Sequence, residues 1–293
     1  VTGATDGYAL LDCGDGRRLE RFGSLVVDRP APAVARIPRR DPAAWVGADA
    51  RYERLAADRP GRWVSVGEVP TPWQVEIDDL VLELRLTPAG QVGLFPEQRP
   101  IARWAVARAG HVAAERGRPA EVLNLFAHTG LATLALAAAG ARVVHVDSSR
   151  GAVAWARRNA AMSGLADRPI RWLVDDAARF VAREERRGRR YDGVLLDPPT
   201  YGHGPRGGAW HIASGLEDLL AGIGRVLSEG PWFLACTAHA TGLDPEELAS
   251  RVRGALGRPA AVEAVALKLE SERGAVLPAG SAVLARGGEE AGP

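Results

Sequence analysis

Residues 191–202 read YDGVLLDPPTYG, a stretch whose residue types suit chemistry at the edge of a sheet. Val194, Leu195 and Leu196 form a short apolar run, the pattern of a parallel strand covered on both faces. Asp197 closes that run, and Pro198 and Pro199 follow. Proline fixes φ and lacks an N–H, so the pair holds the chain open instead of extending a ladder or starting a helix. The segment therefore offers acceptors, the Asp197 carboxylate and nearby carbonyls, followed by the Tyr201 ring. Ligands of open α/β sheets bind beyond the carboxyl ends of the strands, which makes Asp197 and Tyr201 candidates for contact with a substrate. An isolated DPP also suits a proline-rich connector, so the surroundings must decide.

Acidic residues close two earlier predicted strands. Residues 142–146 are followed by Asp147, and residues 170–174 by the pair Asp175 and Asp176. In a doubly wound sheet these strand ends line one crevice, where carboxylates remote in sequence converge on one ligand. An acid after the second strand suits the two hydroxyls of a ribose. The first strand, 121–126, runs into Asn124-Leu-Phe-Ala-His-Thr-Gly130, which keeps a single glycine. That is not the GxGxxG of a loop that seats pyrophosphate, which argues against NAD or FAD. A nucleoside without pyrophosphate fits better, and S-adenosylmethionine is the candidate cofactor.

The rhythm that positions these residues begins near residue 93. A helix is predicted over about 101–115, with Pro100 in its first turn. An Ala-rich helix over 131–139 stops at Gly140, and Ser148 and Ser149 can cap a helix that ends at Met162 before Ser163-Gly164. Helices over about 177–187, 216–227 and 245–256 alternate with strands at 191–196 and 232–236, and β segments at 261–269 and 280–285 close the chain. This alternation implies an α/β fold, a doubly wound, mostly parallel Rossmann-like sheet with an antiparallel last strand. Residues 1–92 lack it. Short strands around Tyr8, Leu25 and Trp63, and the strict alternation of Leu80, Leu82, Leu84 and Leu86, point to a small β-rich N-terminal subdomain. Its core is expected to rest on Trp45, Trp63 and Trp73, with base stacking by one of them as the alternative. The expected domains are thus 1–92 and 93–293.

Composition excludes several classes. With 46% hydrophobic and 25% charged residues in 293, the chain can bury a large core. No basic-then-apolar leader and no apolar run of roughly 20 residues is present, so a soluble protein without membrane contact is expected. Cys13 and Cys236 form no CxxC and lack a histidine cluster, which leads us to expect a reducing, cytoplasmic setting and no metal. Net charge is +1, and Lys268 is the single lysine. So many arginines beside so much Ala and Gly read as a composition bias, not as evidence for nucleic acid. The cluster of Arg183, Arg186, Arg187, Arg189 and Arg190 is either a solvated helix end or a phosphate contact.

The stretch from about residue 93 to 285 resembles class I S-adenosylmethionine-dependent methyltransferases, particularly the branch of large-subunit ribosomal RNA cytosine-C5 methyltransferases. The motifs that carry the resemblance are GLFPEQR at 93–99, NLFAHTG at 124–130, VDSS at 146–149, VDDA at 174–177 and LDPPTYG at 196–202. It implies that Phe95, Gln98 and the loop with Asn124, Phe126, His128, Thr129 and Gly130 surround the methionine end. It implies further that Asp147 and Ser148 meet the ribose, that Asp176 with Ala177 or else Asp175 receives the adenine amine, and that Asp197 also borders the cofactor. His128 stands where the family motif usually has tyrosine. The nucleic-acid-binding module of the family's rRNA enzymes is not evident in residues 1–92.

Two chemistries compete for the acceptor, expected to be an RNA base. Methylation of cytosine C5 needs a nucleophile at C6, usually a thiolate, and Cys236 at the end of the 232–236 strand is the candidate. On that reading Cys236→Ala abolishes turnover; the alternative is a buried small residue finishing a strand. Methylation of an exocyclic amine needs only acceptors and an aromatic to hold the base, which Asp197, the Pro-Pro carbonyls and Tyr201 can supply. A small-molecule or protein acceptor, or a binding protein without catalysis, forms the remaining alternative. The near-neutral charge favours a non-nucleic-acid acceptor, and the intact DPP loop speaks against loss of activity.

Overall fold

The computed structural model describes residues 7–54, 61–203, 209–240 and 242–288. The chain divides into two compact units, one of Val1–Glu97 with Lys268–Ala279 and one of Gln98–Leu267 with Gly280–Pro293. This division differs from a single cut after residue 92, because a late segment belongs to the first unit.

The first unit is β-rich. Strands β1 (Tyr8–Gly14), β2 (Arg17–Phe22), β3 (Leu25–Pro30), β4 (Ala50–Glu53) and β5 (Arg62–Ser65) form one sheet in sequence order. Strands β6 (Trp73–Ile77) and β7 (Leu80–Leu84) pair as a separate hairpin. Its two-residue turn, Asp78-Asp79, has positive φ at both positions, as a tight turn matched to strand twist requires. Leu80, Leu82 and Leu84 are buried on one face, as their alternation predicts. The tryptophans serve structure: Trp45 Nε1 donates to Asp12 at 2.9 Å, Trp63 Nε1 to the Thr87 carbonyl at 2.7 Å, and Trp73 Nε1 to the Phe22 carbonyl at 3.2 Å.

The second unit is the βα alternation. Its elements are α1 (Arg99–Arg116), β8 (Glu121–Leu125), α2 (Leu131–Ala138), β9 (Arg142–Asp147), α3 (Arg150–Met162), β10 (Ile170–Val174), α4 (Ala177–Arg186) and β11 (Gly193–Leu196). A hairpin of β12 (Tyr201–His203) and β13 (Ala209–His211) follows, then α5 (Ile212–Val226), β14 (Trp232–Ala238), α6 (Pro245–Leu256), β15 (Ala261–Glu270) and β16 (Val276–Gly287). The sheet runs β10-β9-β8-β11-β14-β16-β15, parallel through β14, with β16 antiparallel to β14. The order reverses between β8 and β11, so the switch-point crevice lies at the ends of these central strands. Capping marks the helix starts: Ser149 Oγ accepts from Ala152 N at 3.2 Å, and Asp176 Oδ1 from Arg179 N at 2.9 Å.

Alternate residues of the central strands serve opposite faces. Val194, Leu196, Leu234 and Cys236 enter one core with Phe180, Leu216, Leu220 and Leu248 from α4, α5 and α6. Phe233, of the other parity, meets Trp104 of α1 edge-on at 5.9 Å. Among the described residues no helix is long and apolar enough to cross a membrane.

Candidate active site

The loop after β8 is shaped by unusual backbone. Phe126, His128 and Gly130 have φ of 54°, 47° and 93°, values that side chains other than glycine rarely adopt. At Gly130 a Cβ would lie 3.1 Å from Ala156 Cβ, so glycine also permits α3 to close against the loop. The strain is held by neighbours: Asn159 donates to the Thr129 carbonyl at 2.9 Å, and Ala127 N to the Val146 carbonyl at 3.1 Å. Asn124 turns inward, donating to Thr133 Oγ1 at 2.9 Å, and Thr133 in turn meets His145 Nδ1 at 3.0 Å. The Asn124 side chain thus supports the loop from behind.

Asp147 ends β9 with both oxygens fixed by backbone. Oδ2 accepts from His128 N and Oδ1 from Ser149 N, each at 2.8 Å. Each oxygen keeps a lone pair, and together they suit two vicinal hydroxyls. Burial holds the His128 imidazole below its usual range, against the opposing influence of the Asp147 and Asp197 carboxylates.

The pair after β10 separates into two roles. Asp175 Oδ2 forms an ion pair with Arg183 at 2.6 Å, and its Oδ1 accepts from Asp176 N at 2.9 Å. Asp176 caps α4 through Oδ1. Arg183 and Arg187 of the basic cluster are engaged with Asp175 and Glu184, which follows the helix-end reading for those two, whereas Arg189, beyond the helix, pairs with Glu121 of β8.

Asp197, at the end of β11, is held by two side chains on one oxygen. Its Oδ1 accepts from Thr237 Oγ1 at 2.5 Å and from His239 Nε2 at 3.1 Å. Gln98 Nε2 donates to Thr237 Oγ1 at 3.2 Å, at the start of the second unit; Phe95 belongs to the first unit. Beyond Pro198 the hairpin builds an aromatic wall. Trp210 Nε1 donates to the Pro199 carbonyl at 2.8 Å, its ring lies 5.2 Å from Phe126, and the half-exposed Tyr201 meets His211 at 4.6 Å.

Cys236 does not share this site. Paired with Leu196 in the ladder, it has no exposed surface, and burial pushes its thiol far up, with Asp197 adding to the shift. Strand alternation is the reason: Thr237 and His239 face Asp197, so Cys236 faces the α4–α6 core. Thr237, His239 and Trp210 escaped the sequence reading. A period of two along 235–239 could have found the first two; nothing in the pattern after the double proline marks Trp210. Among the described residues no group of three or more His, Cys, Asp or Glu could hold a metal ion.

The chain is similar in sequence and fold to known proteins. The sequence profile of a family described as S-adenosylmethionine-dependent methyltransferase matches residues 40–258. The chain is 28% identical over 210 residues to ribosomal RNA large subunit methyltransferase I of Alteromonas mediterranea, covering 69% of this chain and 50% of that protein. It is 30% identical over 171 residues to methyltransferase K/L of Cellvibrio japonicus, covering 58% of this chain and 19% of the other. The chain therefore spans from a fifth to half of the length of these relatives. A SAM-dependent methyltransferase from Agrobacterium tumefaciens superposes with a TM-score of 0.88 at 32% identity, over 97% of this chain and 91% of that one. The SMU.776 protein, solved with SAH, shares the fold at 17% identity and a TM-score of 0.74, over 96% and 75% of the two chains.

Proposed function

From the premise that this chain belongs to the S-adenosylmethionine-dependent methyltransferase family, we propose that it methylates an exocyclic amine of a base in ribosomal RNA. The single observation that carries the choice of atom is the pairing of a supported Asp197 with a sequestered Cys236. RNA as substrate rests on the names of the relatives, two ribosomal RNA methyltransferases, and a cytoplasmic setting accords with such a substrate.

The residues present fit the cofactor. Asp147, with one backbone N–H on each oxygen, holds the ribose hydroxyls, and Ser148 stands beside it. Asp176 Oδ2 and Ala177 N receive the adenine, since Asp175 is committed to Arg183. The 126–130 loop and Gln98 border the methionine end. When bound, the cofactor supplies a methyl group on a positively charged sulfur.

The chain's own part is positioning. Thr237 and His239 occupy Asp197 Oδ1, which leaves Oδ2 to accept an N–H of the acceptor amine. Orienting the amine aims its lone pair, and holding reactants in line supplies much of the rate. Tyr201 and Trp210 flank the base with flat aromatic surface. The proton released from nitrogen passes to Asp197, whose side chain is 30% exposed, and from there to water. A thiolate is not required, and a thiol at Cys236, raised by burial, is poorly suited to form one.

The test is mass spectrometry of total RNA from cells with and without the gene. Loss of a base methylated on an amine supports the proposal; loss of 5-methylcytidine instead overturns it in favour of covalent chemistry. Unchanged RNA removes the RNA acceptor.

A further inference from the structure

The edge of the sheet at which the parallel strands begin, remote from Asp147 and Asp197, carries a concentrated positive charge. Two cavities of about 430 and 640 Å³ lie there and share Glu121 and Arg189, so they form one groove. Arg116, Arg118 and Arg190 line the smaller part, and Arg142, Arg168 and Arg171 the larger. Against these seven arginines stand Glu121, Glu229 and the buried Asp192, an excess of about four positive charges on a chain whose total is +1.

The two parts are built differently. Asp192, 1% exposed, accepts from Arg118 at 2.7 and 3.1 Å, from Ser228 Oγ at 2.8 Å and from Glu121 N at 2.8 Å, and lies 3.2 Å from Arg116 Nε. Two guanidiniums are thereby pinned to the floor, and each also donates to a backbone carbonyl, Arg116 Nη2 to Pro231 and Arg118 Nη1 to Pro119. Arg189 is tied to Glu121 at 3.1 Å. In contrast, no carboxylate among the described residues pairs with Arg142, Arg168 or Arg171. Arg142 opens β9 and Arg171 lies one residue into β10, opposite Val144, so the two stand diagonally across neighbouring strands, two residues apart in register. Exposed like charges held close repel one another, and an anion between them relieves that repulsion. The row extends from β10 across β9 and β8 to β11, three strand spacings or about 14 Å. That is longer than one phosphate and suits a chain of them.

We infer that this groove binds the sugar–phosphate backbone of an RNA strand, through phosphate contacts that carry no sequence information. It lies outside the methyl-transfer site, so a strand docked here leaves Asp197 accessible. It also gives a nearly neutral chain a means of holding a polyanion, because local charge, and not the total, sets the field at the contact. The inference needs RNA as a ligand but not the amine chemistry proposed above.

The experiment is a fluorescence-anisotropy titration of a labelled fragment of large-subunit ribosomal RNA, over a range of salt, with the wild type and with the triple variant R142E/R168E/R171E. These side chains are exposed, and calorimetry with SAH reports on the integrity of the fold and of the opposite edge. The expected result is RNA affinity at least tenfold weaker, a salt slope lower by about two for three lost single-strand contacts, and unchanged SAH affinity. Unchanged RNA affinity and slope overturn the inference. So does competition by inorganic pyrophosphate as effective as unlabelled RNA at equal phosphate, since the groove then holds a single small anion. RNA that binds in the groove but is never methylated counts against the proposed function alone.

Discussion

His239 Nε2 lies 3.1 Å from Asp197 Oδ1 and approaches it from the strand beside the one that Asp197 terminates. A carboxylate only accepts, so Nε2 carries the proton and the imidazole acts as a donor here. Together with Thr237 it fixes the plane of the carboxylate, and through that plane the direction of Oδ2.

His239→Ala should therefore lower kcat by about 10- to 100-fold, the scale on which small misplacements act, with SAH affinity unchanged. His239→Asn, which can donate one hydrogen bond in a similar place, should restore part of the rate. A variant whose turnover equals the wild type, measured with saturating cofactor and RNA, would sink the positioning role.

Cys236→Ala separates the two acceptor chemistries. The thiol lies in the α4–α6 core, so its loss should cost about 1 kcal/mol of stability while turnover persists. Asp197→Ala should remove turnover in the same assay. Should Cys236→Ala be folded, bind SAH and be inactive, covalent catalysis returns and the core placement of the thiol has to change during the reaction.

The strand-end acids differ in what they already hold, and calorimetry can rank them. Asp147→Ala should weaken SAH binding by about 1.5–3 kcal/mol, the scale of hydrogen bonds to a charged group. Asp176→Ala should weaken it by a smaller amount and also remove the cap of α4. Asp175→Ala should act mainly on stability, by freeing Arg183. A larger loss of affinity from Asp175→Ala than from Asp176→Ala would reverse the assignment of the adenine contact.

Part of this site was legible because the parallel strands are rich in apolar residues and are followed by acids that stand out. Asp147, Asp175 and Asp197 each follow an apolar run, and the helix to Met162 ends where Ser163-Gly164 says it should. The facing of β14 was not legible. All seven of its residues are buried, so no alternation of polar and apolar residues marks which side chains look toward Asp197. The β12–β13 hairpin escaped for another reason, since strands of three residues lack a period to detect, and α5 starts four residues earlier than its apolar pattern suggests. The return of Lys268–Ala279 to the first unit depends on contacts between distant segments, which local patterns do not record.

The polar line behind the loop makes a prediction about acid. His145 is wholly buried against Trp172, ring centres 4.8 Å apart, and Thr133 contacts its Nδ1. Asn124 donates to Thr133, Thr133 meets Nδ1, and Nε2 has no partner. Burial, with smaller contributions from His128 and Arg157, lowers the pKa of His145 to about 3. The unfolded chain takes up this proton near the ordinary value of 6.5, whereas the folded chain does not. Stability from this residue is thus present above pH 6.5 and lost as pH falls toward 3, at about 1.4 kcal/mol per unit. His145→Phe keeps a ring against Trp172 and has nothing to titrate, although Thr133 loses a hydrogen-bond partner at about 1 kcal/mol. Between pH 7 and pH 5, urea denaturation should show the variant gaining about 2 kcal/mol relative to the wild type. Parallel stability curves for the two proteins over that window would mean that His145 is protonated in the folded state, and that the buried line from Asn124 is wired differently.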